Sequence, residues 1–411
     1  MRVAFYAPLK PPTHPVPSGD RRIARLLLQA LRRRGHDVRV VSTFRSYEGK
    51  GDAAKQNEIE RRGAAEAQRL LRSKLMRWRP HAWFTYHLYQ KAPDWLGPPI
   101  AKKLGIPYLV AEAAYAPRRS KGRWDRGLRA VENALRQTDT VLMLNPNDEE
   151  CVAPLVRRRS GAVHGIESVW ECHDFAVWKR RAKNRPAAVE PMLPFLDSAP
   201  YRRAHNRRPQ HRAVLAARHR IPARQPWLLA VGMMRPGDKL ASYRLMAKAL
   251  RGLERRPWQL LVIGDGPARP AVRAAFARFG RRVHWLGARA ESELPAFYAA
   301  SDLLVWPCIN EAIGMAILEA QAAGLPAVVA DVGAIGTIVS ESYTGFRVPE
   351  GDVRAFRRGV ADYLGLSEEV QRAMARVAFW KVRAFHEIAY AAAQLNRVLE
   401  GAAARAGKKR R

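Results

Sequence analysis

The chain has 411 residues, with 72 Lys+Arg against 37 Asp+Glu and a formal net charge of +35. That length is too great for one hydrophobic core and suits two ordinary α/β domains, while a hydrophobic content of 47% excludes an intrinsically disordered chain. No apolar run reaches the ~18–20 residues that cross a bilayer. The best one, Ala312–Ala330, is interrupted by Glu319, Gln321, Gly324 and Pro326.

Arg2–Leu9 (RVAFYAPL) is a short apolar run ended by prolines. It is too short for a signal-peptide core and no small-residue cleavage site follows, so it predicts a buried strand. In DRRIARLLLQALRRRGH, Ile23, Leu26, Leu27, Ala30 and Leu31 fall at helical spacing and Gly35 supplies the stop. Asp37–Phe44 alternates as a strand, and residues 45–75 predict a polar loop followed by a helix. Ala82–Leu88, Pro107–Ala114 and Asp139–Asn145 are further strands with helical segments between them. The second half repeats the rhythm, with strands at Pro226–Gly232, Trp258–Gly266, Arg282–Gly287, Asp302–Pro307 and Pro326–Asp331. Strands alternating with helices predict an α/β fold: two Rossmann-like, doubly wound domains facing across a cleft, with ligands at the carboxyl ends of the strands.

The predicted boundaries are an N-terminal domain over 1–200, a linker over 201–225 and a C-terminal domain over 226–383. Residues 384–411 hold a final helix, about Phe385–Gly401, that returns to the N-terminal domain and ends in a basic tail. The stretch around the linker, residues 199–226, has eight arginines and no acid. A basic insertion at about 157–190 has no clear period. It contains His164, Glu167, Cys172 and His173, whose spacing fits no metal site. The cysteines are Cys151, Cys172 and Cys308, a sparse and odd set that suits a reducing compartment and predicts a cytoplasmic protein. The charge excess would attract phosphorylated small molecules, nucleic acid or an anionic membrane face. A GC-rich genome, which places Arg where others have Lys or Gln, accounts for the same excess.

The stretch NEAIGMAILEAQAAGLPAVVAD, Asn310–Asp331, sets Glu311 and Glu319 in apolar surroundings. Burying an unpaired carboxylate is costly, so a partner is expected for each. A continuous helix would separate them by about 12 Å. That exceeds the roughly 5–9.5 Å of paired glycosidase carboxylates. They are better placed to grip two ends of one extended ligand. Carboxylates accept hydrogen bonds from vicinal hydroxyls, as on a sugar or a ribose. The helix N-terminus at Ile313, Gly314 and Met315 suits phosphate. Sugar, phosphate and ribose in a row describe a nucleotide sugar. Elsewhere, Ser18 and Gly19 open a helix in VPSGDRR, and the glycine permits close backbone approach. His87 stands at a strand end, where it would bind substrate, shuttle a proton or serve as a packed structural histidine.

EAIGMAILE resembles the Glu-x7-Glu motif of retaining family 4 glycosyltransferases with the GT-B fold, the group 1 glycosyl transferases. VIGDGP (Val262–Pro267), VHWLG (Val283–Gly287), YAASDLLVWP, EAQAAGLPAVVAD and TGFRVPEGD (Thr344–Asp352) follow in family order. The resemblance is strong over Trp227–Asp352, weaker over Met1–Asn145 and poor between them. It implies that Glu319 binds the donor ribose, that Glu311 contacts the transferring sugar, and that the backbone of Ile313, Gly314 and Met315 meets diphosphate and sugar. It also implies that Lys239, in VGMMRPGDK, neutralises the diphosphate. The family's companion Arg position is Met233 here, and Arg235, two residues on, would supply that charge. Gly232 at the strand end and Ser18 and Gly19 in the N-terminal domain complete the implied donor-binding set. Where relatives carry a His after the next strand, this chain has Glu112 and Tyr115, and where many carry Glu it has Thr337.

The resemblance implies a retaining glycosyltransferase in cell-surface glycan or glycolipid synthesis. Its donor is a nucleotide diphosphate sugar, its acceptor a glycan or lipid, and it needs no metal or other cofactor. The basic surface favours peripheral contact with the inner, anionic face of a membrane. Two alternatives stay open. One is a non-catalytic GT-B-like scaffold, to which Met233 and Thr337 give weight. The other is a basic nucleic-acid-binding protein, against which the ordered donor motifs argue.

Overall fold

The structure is a computed structural model that describes residues 1–73, 77–156 and 189–408. The insertion expected at 157–190, with its histidines and Cys172, lies outside these residues except for its last two positions. The chain divides into two compact units: Met1–Leu193 with Ile388–Arg411, and Pro194–Glu387.

The first unit is a six-stranded parallel sheet in the order β2-β1-β3-β4-β5-β6. Its strands are β1 (Arg2–Tyr6), β2 (Asp37–Val40), β3 (Ala82–Leu88), β4 (Tyr108–Ala113), β5 (Thr140–Met143) and β6 (Val189–Pro191). Parallel strands covered on both faces favour the near-continuous apolar runs seen in β1, β3 and β4. Phe5 stacks on Phe84 at 5.8 Å between β1 and β3. The helix Gly19–Arg33 buries Ile23, Leu26, Leu27 and Leu31. It packs against the last helix, Ile388–Lys408, which belongs to this unit. Each leucine so buried contributes roughly 1.5–3 kcal/mol before chain entropy is counted.

The second unit is a six-stranded sheet in the order β12-β11-β10-β7-β8-β9. Its strands are β7 (Trp227–Val231), β8 (Gln259–Ile263), β9 (Val283–Gly287), β10 (Leu303–Trp306), β11 (Ala327–Ala330) and β12 (Gly345–Val348). Taken within the unit, this is the 3-2-1-4-5-6 dinucleotide-fold order, with the winding reversing between β7 and β10. The sequence did not suggest β6 or β12. Both are short edge strands without a readable period, and β12 opens on Gly345, where a Cβ would lie 2.0 Å from the Ala327 carbonyl oxygen.

The expected linker at 201–225 is not a linker. Residues 199–219 form two helices, Ala199–His205 and Arg208–His219, which pack in the second unit against the helix Leu294–Ala300. Tyr201, Ala204, Leu215 and Ala216 are their buried face. Two of the arginines that made the segment look solvated turn inward. Arg208 and Arg212 reach the Asp302 carboxylate at 2.5 and 2.9 Å, and the Trp227 N–H donates to it at 2.7 Å. Arg212 also lies 4.4 Å from the Trp227 ring.

Both ends of the second unit are tied to each other. Leu196 N–H donates to the His386 carbonyl at 3.0 Å, His386 Nδ1 lies 2.6 Å from the Pro194 carbonyl, and the Ser198 hydroxyl donates to Glu387.

Replacing Asp302 with Ala removes the counter-charge of two guanidinium groups, which keep carbonyl partners, and leaves the Trp227 N–H without its acceptor. Urea unfolding of Asp302→Ala is expected to show a loss of about 2–3 kcal/mol. A loss below about 0.5 kcal/mol would mean that water replaces the carboxylate freely.

Candidate functional site

In the second unit the chain reversal leaves the carboxyl ends of β7 and β10 side by side. The loop after β7 is built by close backbone approach. A Cβ on Gly264, which has φ +145°, would lie 1.9 Å from the Gly232 carbonyl oxygen, so the GDG turn after β8 requires glycine there. The same carbonyl accepts from the Tyr243 hydroxyl at 2.7 Å. Lys239 stands in the first turn of the helix Asp238–Leu250. Its ammonium bonds to the Glu311 carboxylate and lies 5.3 Å from the Trp306 ring. Glu311 therefore has the partner that its surroundings demanded.

The loop after β10 carries two non-glycine residues in the left-handed region, Cys308 at φ 56° and Asn310 at φ 51°. Such residues persist where their surroundings hold them. Here Ile309 N–H donates to Ser242 Oγ at 3.1 Å, Asn310 N–H to Glu350 Oε1 at 2.7 Å, and Asn310 Nδ2 to Asp238 Oδ2 at 3.0 Å. Burial pushes the Cys308 thiol well above its usual value, which keeps it neutral. Gly314, at φ 80°, caps the helix Met315–Ala322, and no side chain caps that end. Ile313 and Met315 are each only 8% exposed, so their backbone is what they can offer a ligand. Glu319 is buried, and it accepts from the Tyr298 hydroxyl at 2.9 Å. Arg235 is exposed and has no side-chain partner among the described residues. Thr337 donates to the Ala334 carbonyl at 2.7 Å.

The first unit has its own reversal, between β1 and β3. Ser18 caps the helix Gly19–Arg33, its hydroxyl accepting from Arg21 N–H at 3.2 Å. A Cβ on Gly19 would meet nothing within 4 Å, so packing does not require that glycine. Asp20 places Oδ1 3.1 Å from His87 Nδ1, a pairing the sequence reading missed although Asp20 adjoins Ser18 and Gly19. Burial would lower the His87 pKa, but the Asp20 hydrogen bond and charge, helped by Glu112 and Asp148, raise it above 6.5. For Asp20, burial would raise the carboxyl, and His87 and Lys10 bring it below its ordinary value. Glu112 accepts from Leu144 and Asn145 N–H, each at 3.2 Å. Burial pushes Glu112 up to about 7, against the pull of His87 and with the help of Asp148. Tyr115 is turned aside, its hydroxyl donating to Glu132 at 3.1 Å.

Among the described residues no group of three or more His, Cys, Asp or Glu side chains is arranged to hold a metal ion. Nor is any helix long and apolar enough to cross a membrane.

Residues 225–365 match the family described as Glycosyl transferases group 1. The D-inositol 3-phosphate glycosyltransferase of Salinispora tropica is 30% identical over 192 residues, which are 44% of this chain and 39% of that protein. The protein of the same name from Corynebacterium urealyticum is 37% identical over 121 residues, 28% of each chain. This chain thus spans well under half the length of the curated relatives it matches. Among solved structures, sucrose-phosphate synthase from Thermosynechococcus elongatus has a TM-score of 0.68 at 18% identity, covering 98% of this chain and 99% of that one. HepE from Anabaena, in complex with UDP, has a TM-score of 0.67 at 14% identity, covering 98% and 100%. The chain has the GT-B glycosyltransferase fold, two Rossmann-like domains with parallel sheets, and its second unit carries the group 1 signature.

The two site glycines should respond oppositely to a methyl group. At Gly314 a Cβ would sit 2.4 Å from Ile335 Cδ1 on a left-handed backbone, so Gly314→Ala should cost about 1–3 kcal/mol in urea unfolding. Gly19→Ala, in an open helical position, should be neutral or stabilise by up to about 1 kcal/mol.

Proposed function

We propose that this chain transfers a sugar from a nucleotide diphosphate sugar to a glycan or lipid acceptor, with retention of anomeric configuration. The observation that carries the reading is the Lys239–Glu311 pair beside the helix N-terminus at Gly314, which no side chain caps, at the reversal between β7 and β10. A diphosphate there would meet the N–H groups around Ile313, Gly314 and Met315 and would compete with Glu311 for the Lys239 ammonium. Glu311, released, would accept from the hydroxyls of the transferring sugar, and Glu319 from those of the ribose. Gly232 would let the nucleotide approach the backbone. Arg235 is free to swing toward the phosphates and replace the family Arg absent at Met233.

As the bond from the anomeric carbon to the diphosphate breaks, charge grows on the leaving phosphate. Lys239, Arg235 and the helix N-terminus stabilise it in the role that a divalent metal plays elsewhere. The acceptor hydroxyl forms the new bond on the same face, and its proton passes to the departing phosphate. His87 is assigned to the acceptor, and Ser18 and Gly19, by the resemblance, to the donor. The name of the relatives, D-inositol 3-phosphate glycosyltransferase, supports a small sugar-like acceptor as one form of that glycan. A cytoplasmic enzyme resting its basic surface on an anionic membrane face fits the +35 charge.

Thermal-shift screening of UDP-, GDP- and ADP-sugars, followed by product analysis, tests the reading. One donor should raise the melting temperature and yield a glycosylated product. Lys239→Ala should lower turnover about 10²–10³-fold. Glu319→Ala should weaken donor affinity about 10–100-fold. Full activity in either purified variant removes that residue from the site. Donor binding without product would favour the scaffold alternative, and salt-sensitive nucleic-acid binding without any donor shift would favour the other.

A further inference from the structure

We infer that Glu112 is a positioning residue for His87: together with Asp20 it holds the His87 ring as an imidazolium whose Nε2–H is a fixed hydrogen-bond donor to a hydroxyl oxygen of the ligand in the first unit. The identity of that ligand as a sugar-like acceptor rests on the proposed function. The state of the ring does not.

The register of β3 on β4 pairs Tyr86 with Ala111 and Leu88 with Ala113, which sets His87 level with Glu112 on adjacent strands. Both residues leave the extended region at that same level, with φ 65° and 62°. Neither is glycine, and two neighbouring strands breaking their pleat in one row is a strained arrangement that its surroundings must hold. It lies at the carboxyl end of the sheet, beside the reversal between β1 and β3, where such sheets take ligands.

The ring is held from one side only. Nδ1 faces Asp20 Oδ1 at 3.1 Å, while Nε2 has no partner among the described residues and the side chain is 21% exposed. Glu112 cannot swing away, because Leu144 and Asn145 N–H groups grip its carboxylate and it is 3% exposed. A third carboxylate, Asp148, adds its charge to the field at His87 and Glu112, and Lys10 adds its own at Asp20.

The chemistry follows from the protonation states. If the ring loses a proton, the remaining one stays on Nδ1 toward Asp20, and Nε2 turns from donor into acceptor. Asp20 opposes that loss through its hydrogen bond, and Glu112 does so in its ionised form, so the ring is suited to donating steadily and ill suited to shuttling a proton. An imidazolium already balanced by carboxylates favours a neutral hydroxyl over an oxyanion. His87 and Glu112 lie level on adjacent strands and each shifts the other, so their titrations are those of a pair.

The test is a pH titration of the full chain, labelled in histidine, followed by NMR, with His87→Gln used to identify the His87 signal. The wild-type ring should titrate above 6.5. In Glu112→Gln, which keeps acceptors for the two N–H groups, its proton affinity should fall about tenfold. The alkaline limb of the transfer profile should move the same way, and the acceptor KM should rise with the donor KM unchanged. A wild-type ring that titrates at or below 6.5 overturns the inference even if the variant fails to fold. So does an unchanged His87 titration in a folded Glu112→Gln. A shifted titration in a chain that transfers no sugar sustains the state of the ring and sinks the proposed function instead.

Discussion

A parallel sheet that winds both ways must part its connections at one point, and both units are organised around that constraint. Between β7 and β10 the connections leave to opposite faces. Strand ends at such a reversal are where open α/β sheets take their ligands. The sequence answers with glycines where the backbones close up, at Gly264 against Gly232, and with a left-handed cap at Gly314. Charge is then set on the rim in compensated form, Lys239 on Glu311. In the first unit the reversal between β1 and β3 is furnished by Asp20 on His87. Each unit thus keeps one ion pair at its reversal, held from two different elements.

A chain this basic must also place its cations without stranding them. Arg208 and Arg212 share Asp302, and Arg212 lies over Trp227, so the guanidinium groups become part of the packing of the second unit. The arginines of 199–219 are therefore not all surface charge.

Strand positions were legible because buried parallel strands are runs of Val, Leu, Ile and aromatics between turn residues, as in Trp227–Val231 and Leu303–Trp306. The edge strands Val189–Pro191 and Gly345–Val348 were not, because edge positions tolerate Pro, Gly and Arg. The helices at 199–219 were hidden by their arginines, whose acid lies some ninety positions away at Asp302. At the candidate site the sequence named Lys239 and Glu311 singly, through motif spacing, but their bond spans 72 positions and only the fold makes it. Asp20 lay beside the two residues already singled out. Its partner stands on β3, and nothing local to either residue announces the pair. The buried carboxylate of Glu112 was visible as a departure from the family pattern, whereas its register with His87 is a property of the sheet.

The tied ends of the second unit also order events in time. Residues 194–387 form one continuous piece, set between β6 and the final helix of the first unit. During synthesis from the N-terminus the first sheet emerges before the helix Ile388–Lys408 that packs on Gly19–Arg33. The second unit, by contrast, is complete once Glu387 has left the ribosome. The unit begun second can be finished first, and the first must wait with the apolar face of a helix uncovered. Truncation near the C-terminus would therefore damage the N-terminal sheet most, at the greatest distance along the chain from the cut.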